Sequence, residues 1–151
     1  MSVVLVTGGA GFVGYHFSKQ IADNNFTPII IDNLDDYYDI KYKLKRLSML
    51  GIDTSKIAYG DEITSKTYSN LKFIKGDVCD QELIEDIFSK NEIEYVVHMA
   101  ARSGARDSFS NPYEYIKDNV EGTANMLNVC SKHNIKHFVF TSSSSVYGNT
   151  K

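Results

Sequence analysis

The sequence predicts an α/β fold built on a doubly wound parallel sheet, and three observations lead to that prediction. Short apolar runs alternate with amphipathic segments along the 151 residues, as they do where helices connect parallel strands. A glycine-rich turn, Thr7–Gly14, joins the first apolar run to the first amphipathic segment. The second apolar run leads to an acidic residue, Asp32. Because ligands of such sheets lie beyond the carboxyl ends of the strands, both features fall where a binding site is expected.

Five strands are expected, each a short run of apolar residues bounded by polar residues or glycine. They are Val3–Thr7, Thr27–Ile31, Leu71–Lys75, Tyr95–His98 and His137–Thr141. The stretch from Gly51 to Asn70 is polar and has no sustained period. It is therefore expected to be an insertion or a long loop.

Four helices are expected between the strands, each with one apolar face at helical spacing. Asp80 and Pro112 mark the starts of two of them, since aspartate caps helices and proline suits the first turn. In the segment from Tyr37 to Leu50, the lysines are expected to form a solvated face. The faces expected to be buried are Val13, Phe17 and Ile21; Ile40, Leu44 and Leu47; Leu83, Ile84, Ile87 and Phe88; and Ile116, Val120, Ala124 and Leu127.

The glycine turn is suited to the pyrophosphate of a dinucleotide. Gly8 permits a sharp reversal, Gly11 lets the backbone approach a phosphate, and Gly14 lets the helix pack closely on the strand. Unpaired N–H groups and the positive end of the helix dipole then face the anion.

Asp32 follows Gly14 by 18 residues, a spacing at which a carboxylate can accept hydrogen bonds from both hydroxyls of an adenosine ribose. A 2′-phosphate at that position would meet a like charge, and no arginine stands beside Asp32 in the sequence. The sequence therefore predicts NAD, not NADP, as the cofactor.

The composition restricts the class of protein. Apolar residues make up 42% and charged residues 23% of the chain, which predicts one globular domain over residues 1–151. The net charge of −3, with both signs interspersed, argues against nucleic-acid or membrane partners. With no signal peptide or membrane span in the sequence, a cytoplasmic location is expected. Cys79 and Cys130 lack CxxC spacing, so two reduced thiols and no metal site are predicted.

Several motifs together resemble the extended short-chain dehydrogenase/reductase family, and the resemblance covers the whole chain. The strongest likeness within it is to nucleotide-sugar 4-epimerases. The string Asp32–Asp39 and the four serines before Val146 are similar to those of UDP-glucuronate 4-epimerases. The motifs that carry the resemblance are Thr7–Gly14, Asp32–Leu34, Gly76–Val78, Ala100–Ala101, Asn119–Thr123 and Ser142–Gly148.

The resemblance implies a Rossmann fold, a bound NAD and a set of site residues. It implies that Ser143 is the catalytic hydroxyl, four positions before the tyrosine of the Val-Tyr-Gly string. The cofactor residues that it implies are Gly8, Gly11, Phe12, Val13 and Gly14 at the pyrophosphate; Asp32 and Asn33 at the adenosine ribose; Asp77 and Val78 around the adenine; and Ala100, Ala101, Asn119 and Thr141 on the path to the nicotinamide.

The implied reaction is a concealed redox cycle on a UDP-hexuronate or UDP-hexose. A tyrosinate takes the proton of the sugar 4-hydroxyl, which is also hydrogen-bonded to Ser143, while hydride passes from C4 to NAD. The 4-keto sugar then turns and takes the hydride back on its other face, so NAD is regenerated.

The tyrosine and lysine of the family's YxxxK motif lie about two dozen residues beyond the serine, whereas the sequence ends eight residues after Ser143. Tyr37 with Lys41 and Tyr147 with Lys151 also fit the spacing, but neither pair is interpreted as the catalytic one. The chain is therefore expected to be the N-terminal half of an epimerase, without the later strands and the substrate domain, and inactive alone. An uncovered sheet edge predicts low stability or association, a homodimer being one form.

One segment departs from the UDP-glucuronate epimerase pattern. Residues 102–108 read Arg-Ser-Gly-Ala-Arg-Asp-Ser, where those enzymes more usually have Gln-Ala-Gly-Val-Arg-Tyr-Ser. Arg102 and Arg106 either address a phosphate or carboxylate or are solvated, and an inward Asp107 would repel an anionic substrate.

Two other interpretations stay open. One is the NAD-binding half of a nucleotide-sugar dehydratase or decarboxylase, which Ser145 disfavours because those enzymes carry an acidic residue there. The other is a non-catalytic dinucleotide-binding module.

Overall fold

A six-stranded sheet forms the centre of the computed structural model, which describes residues 1–148. The order across the sheet is β3-β4-β2-β1-β5-β6, and every neighbouring pair is parallel except β3 with β4. The doubly wound α/β fold predicted from the sequence is thus confirmed. Lys151, which completes the second Tyr–Lys spacing, lies outside the described residues. The strands are β1 (Val3–Thr7), β2 (Thr27–Asp32), β3 (Glu62–Thr64), β4 (Lys72–Lys75), β5 (Ile93–His98) and β6 (His137–Phe140).

Helices connect the parallel strands. Asp80 accepts a hydrogen bond from the Leu83 backbone N–H at 3.0 Å, and Pro112 is the first residue of its helix, so both predicted starts are confirmed. Within residues 1–148, no helix has the length and apolar content that crossing a bilayer demands. The helices are α1 (Phe12–Asp23), α2 (Ile40–Met49), α3 (Gln81–Lys90), α4 (Ala105–Ser110), α5 (Pro112–Tyr115) and α6 (Gly122–Lys132), with a π-helical turn at Ile116–Glu121 and 3-10 turns at Thr54–Lys56 and Ser144–Tyr147.

The core lies on both faces of β1 and β2. Along β2, Ile29 and Ile31 pack in a cluster with apolar residues of α3 and α6, whereas Ile30 between them packs with residues of α1 and α2. This alternation follows from the two-residue period of a strand. The two central strands are therefore covered on both sides, and their carboxyl ends are held at one edge.

The prediction of five strands was one short. Within Gly51–Asn70, expected to be an insertion or long loop, Glu62–Thr64 forms β3 and pairs antiparallel with β4. Only its central residue, Ile63, is half-buried. A three-residue strand at the sheet edge carries too little apolar pattern to show a period.

Three of the four predicted helix faces were partly wrong. In α2, Ile40 is 36% exposed, although Leu44 and Leu47 pack into the core as expected. Val13 is 62% exposed, although Phe17 and Ile21 pack on the sheet as expected. In the last helix Ile116, Val120 and Leu127 are 50–61% exposed, and Gly122, Met126 and Val129 are buried instead. Both sets have helical spacing. Glycine decides between them, because a Cβ on Gly122 would lie 2.7 Å from Val78 Cγ2, so only this face can approach the segment after β4 so closely.

Candidate cofactor site

A cavity of about 540 Å³ opens at the carboxyl edge of the sheet. Residues that follow β1, β2, β4 and β5 line it, as expected for the ligand site of a parallel sheet. Its volume lies in the ordinary range of small-molecule sites, about 300–1,000 Å³. Of the residues predicted from the sequence, it brings together Gly8, Gly11, Phe12, Asp32, Asn33, Asp77, Val78, Ala100 and Ala101.

The glycine loop forms one wall of the cavity and is held by its neighbours. Gly8 has φ +68°, a conformation that favours glycine, and its N–H donates to the Ile31 carbonyl at 2.8 Å. Gly14 lies outside the cavity lining. Its lack of a side chain allows α1 to lie close to the glycine loop. A Cβ there would lie 2.4 Å from the Gly8 carbonyl oxygen and 2.6 Å from Gly9 Cα. The loop therefore keeps its shape only while both positions are glycine.

The amino end of α1 is open to an anion. Gly11 is the residue before its first turn, and among the described residues no side chain caps that turn and no acidic residue lies in it. Gly11 and Phe12 line the cavity, and Val13 is exposed beside it. The uncapped N–H groups of a 12-residue helix thus stand beside the cavity with the positive end of the helix dipole.

Asp32 is a buried carboxylate with most of its hydrogen-bonding capacity in use. Its Oδ2 accepts from the Ala10 N–H at 3.1 Å, and its Oδ1 accepts from the Leu34 N–H at 2.9 Å and from Lys43 Nζ at 3.2 Å. A carboxylate offers about four acceptor positions. One position on Oδ2 is therefore left for a ribose hydroxyl, where the sequence led us to expect contacts with both.

Two cations of α2 line the cavity, one on Asp32 and one on the neighbouring Ala10, which the sequence-based preference for NAD did not foresee. Lys43 bridges Asp32 and Asp35, with Nζ–Oδ1 distances of 3.2 and 2.5 Å. Burial opposes its charge, but the two carboxylates outweigh burial, and the pKa of Lys43 is raised. Arg46 donates to the Ala10 carbonyl at 3.3 Å.

These cations belong to a face of α2 that was interpreted as solvated. Residues at helical spacing, beginning with the capping residue Asp39, all line the cavity, while Leu44 and Leu47 pack into the core. Asp39 is recognisable in the sequence as a helix-capping residue. Taking it as the start of α2 would have indicated which residues share its face. The members of the cavity-lining face are Asp39, Tyr42, Lys43 and Arg46.

The end of β5 is held by a buried polar pair, Thr7 and His98. Thr7 Oγ1 accepts from the N–H groups of Met99 at 3.1 Å and Ala100 at 3.0 Å. Both of its lone pairs are thus used, so its own proton is donated to His98 Nδ1, 2.8 Å away. The imidazole therefore carries its proton on Nε2, and burial lowers the pKa of His98 to about 4.

The same relay continues to the π-helical turn. His98 Nε2 donates to Thr123 Oγ1 at 3.1 Å, and that hydroxyl donates to the Asn119 carbonyl at 2.7 Å. The Asn119 side chain lies outside the cavity lining and instead pairs with the backbone of Arg102. Its Oδ1 accepts from the Arg102 N–H at 2.7 Å, and its Nδ2 donates to the Arg102 carbonyl at 3.0 Å. Asn119 therefore positions the cavity wall after β5.

The Arg102 side chain is an ion-paired residue. Its Nε lies 2.8 Å from Asp118 Oδ2, with Asp35 and Glu114 within 4.0 Å, and its guanidinium lies over the Tyr37 ring at 5.4 Å. Of the two roles considered from the sequence, contact with a carboxylate describes Arg102, and the carboxylates are side chains of this chain. Arg106 is exposed.

A tyrosine strap, Tyr37 and Tyr38, connects the segment after β2 with the segment after β5. Tyr37 donates to Asp107 Oδ2 at 2.5 Å, which raises the pKa of the tyrosine, and the Tyr38 hydroxyl lies 3.3 Å from Ser103 Oγ. Both tyrosines and Ser103 line the cavity. The residue that departs from the epimerase pattern, Asp107, is thus engaged by this strap.

The two predicted residues beyond β6 lie apart from the cavity lining. Thr141 is exposed, and its N–H donates to the His98 carbonyl at 3.1 Å. Ser143 is exposed at the start of a 3-10 turn, and its hydroxyl contacts only Ser145 among the described residues.

Comparison with known proteins identifies a family. The sequence profile of the NAD dependent epimerase/dehydratase family matches residues 4–151. A bifunctional UDP-glucose 4-epimerase and UDP-xylose 4-epimerase from Pisum sativum is 36% identical over 145 residues, which are 96% of this chain and 37% of that protein. UDP-glucuronate 4-epimerase 4 of Arabidopsis thaliana is 37% identical over 150 residues, 98% of this chain and 31% of that protein.

Solved structures agree. The crystal structure of a UDP-glucose 4-epimerase from Bifidobacterium longum, in complex with NAD+ and UDP, superposes with a TM-score of 0.73 at 31% identity. The match covers 97% of this chain and 38% of that one. The chain thus spans less than half the length of the relatives it matches. The match of the family profile to nearly all of its residues shows that the chain belongs to the NAD dependent epimerase/dehydratase family.

Proposed function

We propose that this chain is the NAD-binding portion of a nucleotide-sugar 4-epimerase that acts on UDP-glucuronate, and that the 151-residue chain binds NAD without turning over substrate. The observation that carries the proposal is that the glycine loop and Asp32 share one cavity. An anion site and a ribose site in one cavity are what a dinucleotide requires.

The residues that line the cavity support the cofactor contacts that we propose. Gly8, Gly11 and Phe12, with the exposed amino end of α1 at Val13 and Gly14, receive the pyrophosphate. Asp32 holds one ribose hydroxyl through its remaining acceptor position, with Asn33 beside it. The other assignments are Asp77 and Val78 at the adenine, Ala100 and Ala101 at the nicotinamide, Asn119 behind Arg102, and Thr141 at the end of β6.

The chemistry needs NAD as a hydride acceptor and donor at C4 of the sugar. Ser143 would hydrogen-bond the 4-hydroxyl and hold it for proton removal. The tyrosine that would take this proton has no counterpart that we assign within residues 1–148. We therefore expect the isolated chain to be inactive.

The choice of UDP-glucuronate rests on the string Asp32–Asp39 and on 37% identity to the Arabidopsis UDP-glucuronate epimerase. The Pisum protein, at 36%, supports a neutral UDP-hexose almost equally. Because Asp107 is engaged by Tyr37, it does not by itself count against an anionic sugar.

The test is a titration of the purified chain with NAD, followed by incubation of the NAD complex with UDP-glucuronate and with UDP-glucose. Saturable NAD binding and no conversion of either sugar is the expected result. Absence of NAD binding by the folded chain would contradict the cofactor assignment, and sugar turnover would contradict the expected inactivity. Assay of both sugars with the complete product of the gene then tests the substrate.

A further inference from the structure

We infer that the adenosine end of the cavity accepts a 2′-phosphate, so that the chain binds NADP as well as NAD. The inference rests on the proposed NAD site and concerns its selectivity. A carboxylate at the ribose excludes a 2′-phosphate by charge repulsion unless a cation offsets it. The fold brings two cations of α2 to this end of the cavity: Lys43 contacts Asp32, and Arg46 contacts Ala10, whose N–H donates to Asp32.

Arg46 is the cation that has donors to spare. Its guanidinium is held in place by the Ala10 carbonyl, 3.3 Å from Nη1, and by the Phe12 ring, whose centroid lies 5.8 Å away. Across residues 1–148, no carboxylate oxygen lies within 4.0 Å of its nitrogens. A guanidinium has five N–H donors, and this one lines the cavity with only one of them engaged. A planar cation in this state is suited to a phosphate.

Ala10 connects Arg46 to the ribose position. The N–H of Ala10 donates to Asp32 Oδ2, the oxygen with a remaining acceptor position, and the carbonyl of the same residue accepts from Arg46. The cation and the carboxylate therefore lie on opposite sides of one residue of the glycine loop. We therefore place the 3′-hydroxyl of the ribose on Oδ2, to which it donates, and the neighbouring 2′-phosphate beside Arg46.

Lys43 reduces the repulsion that Asp32 would exert. Its ammonium lies 3.2 Å from Asp32 Oδ1 and is only 13% exposed, so Asp32 is neutralised where water screens little. A 2′-phosphate thus meets an ion pair plus Arg46, not a single carboxylate. Because Asp35 shares the lysine, the compensation is incomplete, and NAD remains the tighter ligand.

The experiment measures the ratio of the Kd of NADP to the Kd of NAD by calorimetry. We expect NADP to bind the unaltered chain within about tenfold of NAD. Arg46→Met is expected to raise the ratio by about tenfold or more, the discrimination typical of a lost phosphate contact. Lys45→Met, an exposed cation on the same helix outside the cavity lining, is the matched control and should leave the ratio as it is.

Displacement of NAD by 2′,5′-ADP and by 5′-AMP separates the two phosphate positions. Arg46→Met should weaken 2′,5′-ADP selectively. Equal weakening of both probes would assign Arg46 to the phosphate that they share and overturn the inference, as would NAD binding with no NADP binding at millimolar concentration. Failure of the folded chain to bind NAD at all is a different result and would overturn the proposed function itself.

Discussion

The two ends of the carboxyl edge differ in how completely they are built. At the β2 end, Asp32 is buried and holds the glycine loop through Ala10, the following loop through Leu34, and α2 through Lys43. At the β6 end, Thr141 and Ser143 are exposed, and Phe140 at the end of the strand is 54% exposed. The part of the site around Asp32 is thus held by neighbouring segments of this chain. Within residues 1–148, Thr141, assigned to the cofactor, and Ser143, assigned to the reaction, are exposed and lie outside the cavity lining.

The difference follows from connectivity. The β2 end is enclosed by consecutive elements, β1, α1, β2 and α2, whose connections are short and whose strands are covered on both faces. The β6 end has one strand neighbour, β5, among the described residues. Short local connections allow binding residues to be positioned by packing of their own elements. Substitutions at the two ends should therefore have unequal effects on cofactor binding.

Gly14→Ala, in the helix that borders the β2 end, should have the largest effect on stability and on NAD binding. Its Cβ would meet Gly8 O at 2.4 Å, so α1 must move away from the loop, with a cost of about 1–3 kcal/mol in the free energy of unfolding. NAD binding should be lost at millimolar concentration. Chemical denaturation and calorimetry measure the two effects.

Gly148→Ala is the control for Gly14→Ala because a Cβ there has no atom within 4 Å, although its φ of +63° and ψ of −159° strain an L residue by about 1–3 kcal/mol. Unchanged NAD affinity in Gly14→Ala would show that the close approach of α1 is not needed for the site.

Asp32→Asn should weaken NAD binding by about tenfold to a hundredfold. An amide supplies one acceptor oxygen in place of two and removes one of the two carboxylate partners of the half-buried Lys43, which should cost about 1.5–3 kcal/mol of binding free energy. Calorimetry gives the Kd, and Asp36→Asn, an exposed neighbour outside the cavity lining, controls for the change in net charge. Equal effects of both variants would reduce the role of Asp32 to long-range electrostatics.

His98 should make the free energy of unfolding of the chain depend on pH. Its folded pKa of about 4 lies below the unfolded value of 6.5, so the unfolded chain binds more protons between these values and stability falls as pH decreases from 6.5 to 4. At pH 5 the loss relative to pH 7 is about 2 kcal/mol.

Urea unfolding at pH 7 and pH 5 measures this loss of unfolding free energy, and two histidine variants show whether His98 causes it. His98→Asn should remove it, and exposed His137→Gln should retain it. The same pH dependence in the unaltered chain and in His98→Asn would place the titrating group elsewhere.

Ser143→Ala, at the β6 end, should have the smallest effect on stability and on NAD binding. The hydroxyl contacts only Ser145 among residues 1–148, so the change in unfolding free energy should stay within about 0.5 kcal/mol. The Kd of NAD should change by less than about twofold. A tenfold loss of affinity would mean that Ser143 already belongs to the cofactor site.

The parts of the fold that were predictable are those with a local signal. The strands of the central sheet, the glycine turn, Asp32 and the Asp80 cap all follow from apolar runs, glycine positions and capping residues. The exposed faces around Val13 and Val120 were mispredicted because a helical period marks an apolar stripe without stating what it packs against.

The parts of the site that were missed depend on contacts between distant segments. Lys43 reaches Asp32 and Arg46 reaches Ala10 from a different element, and Asn119 binds the backbone of Arg102 from 17 residues away. The spacing of residues in the sequence does not predict contacts of this kind between different elements. For the same reason, the sequence around Asp32 did not indicate that Lys43 pairs with it.

The most direct test of the central claim, that the described cavity is an NAD site, is a calorimetric titration of the purified chain and of its Gly14→Ala variant with NAD. We expect one saturable site per chain in the unaltered protein and its loss in the variant, with the circular dichroism of both showing folded protein. A folded, unaltered chain that gives no binding heat and no chemical-shift change with NAD would contradict the claim.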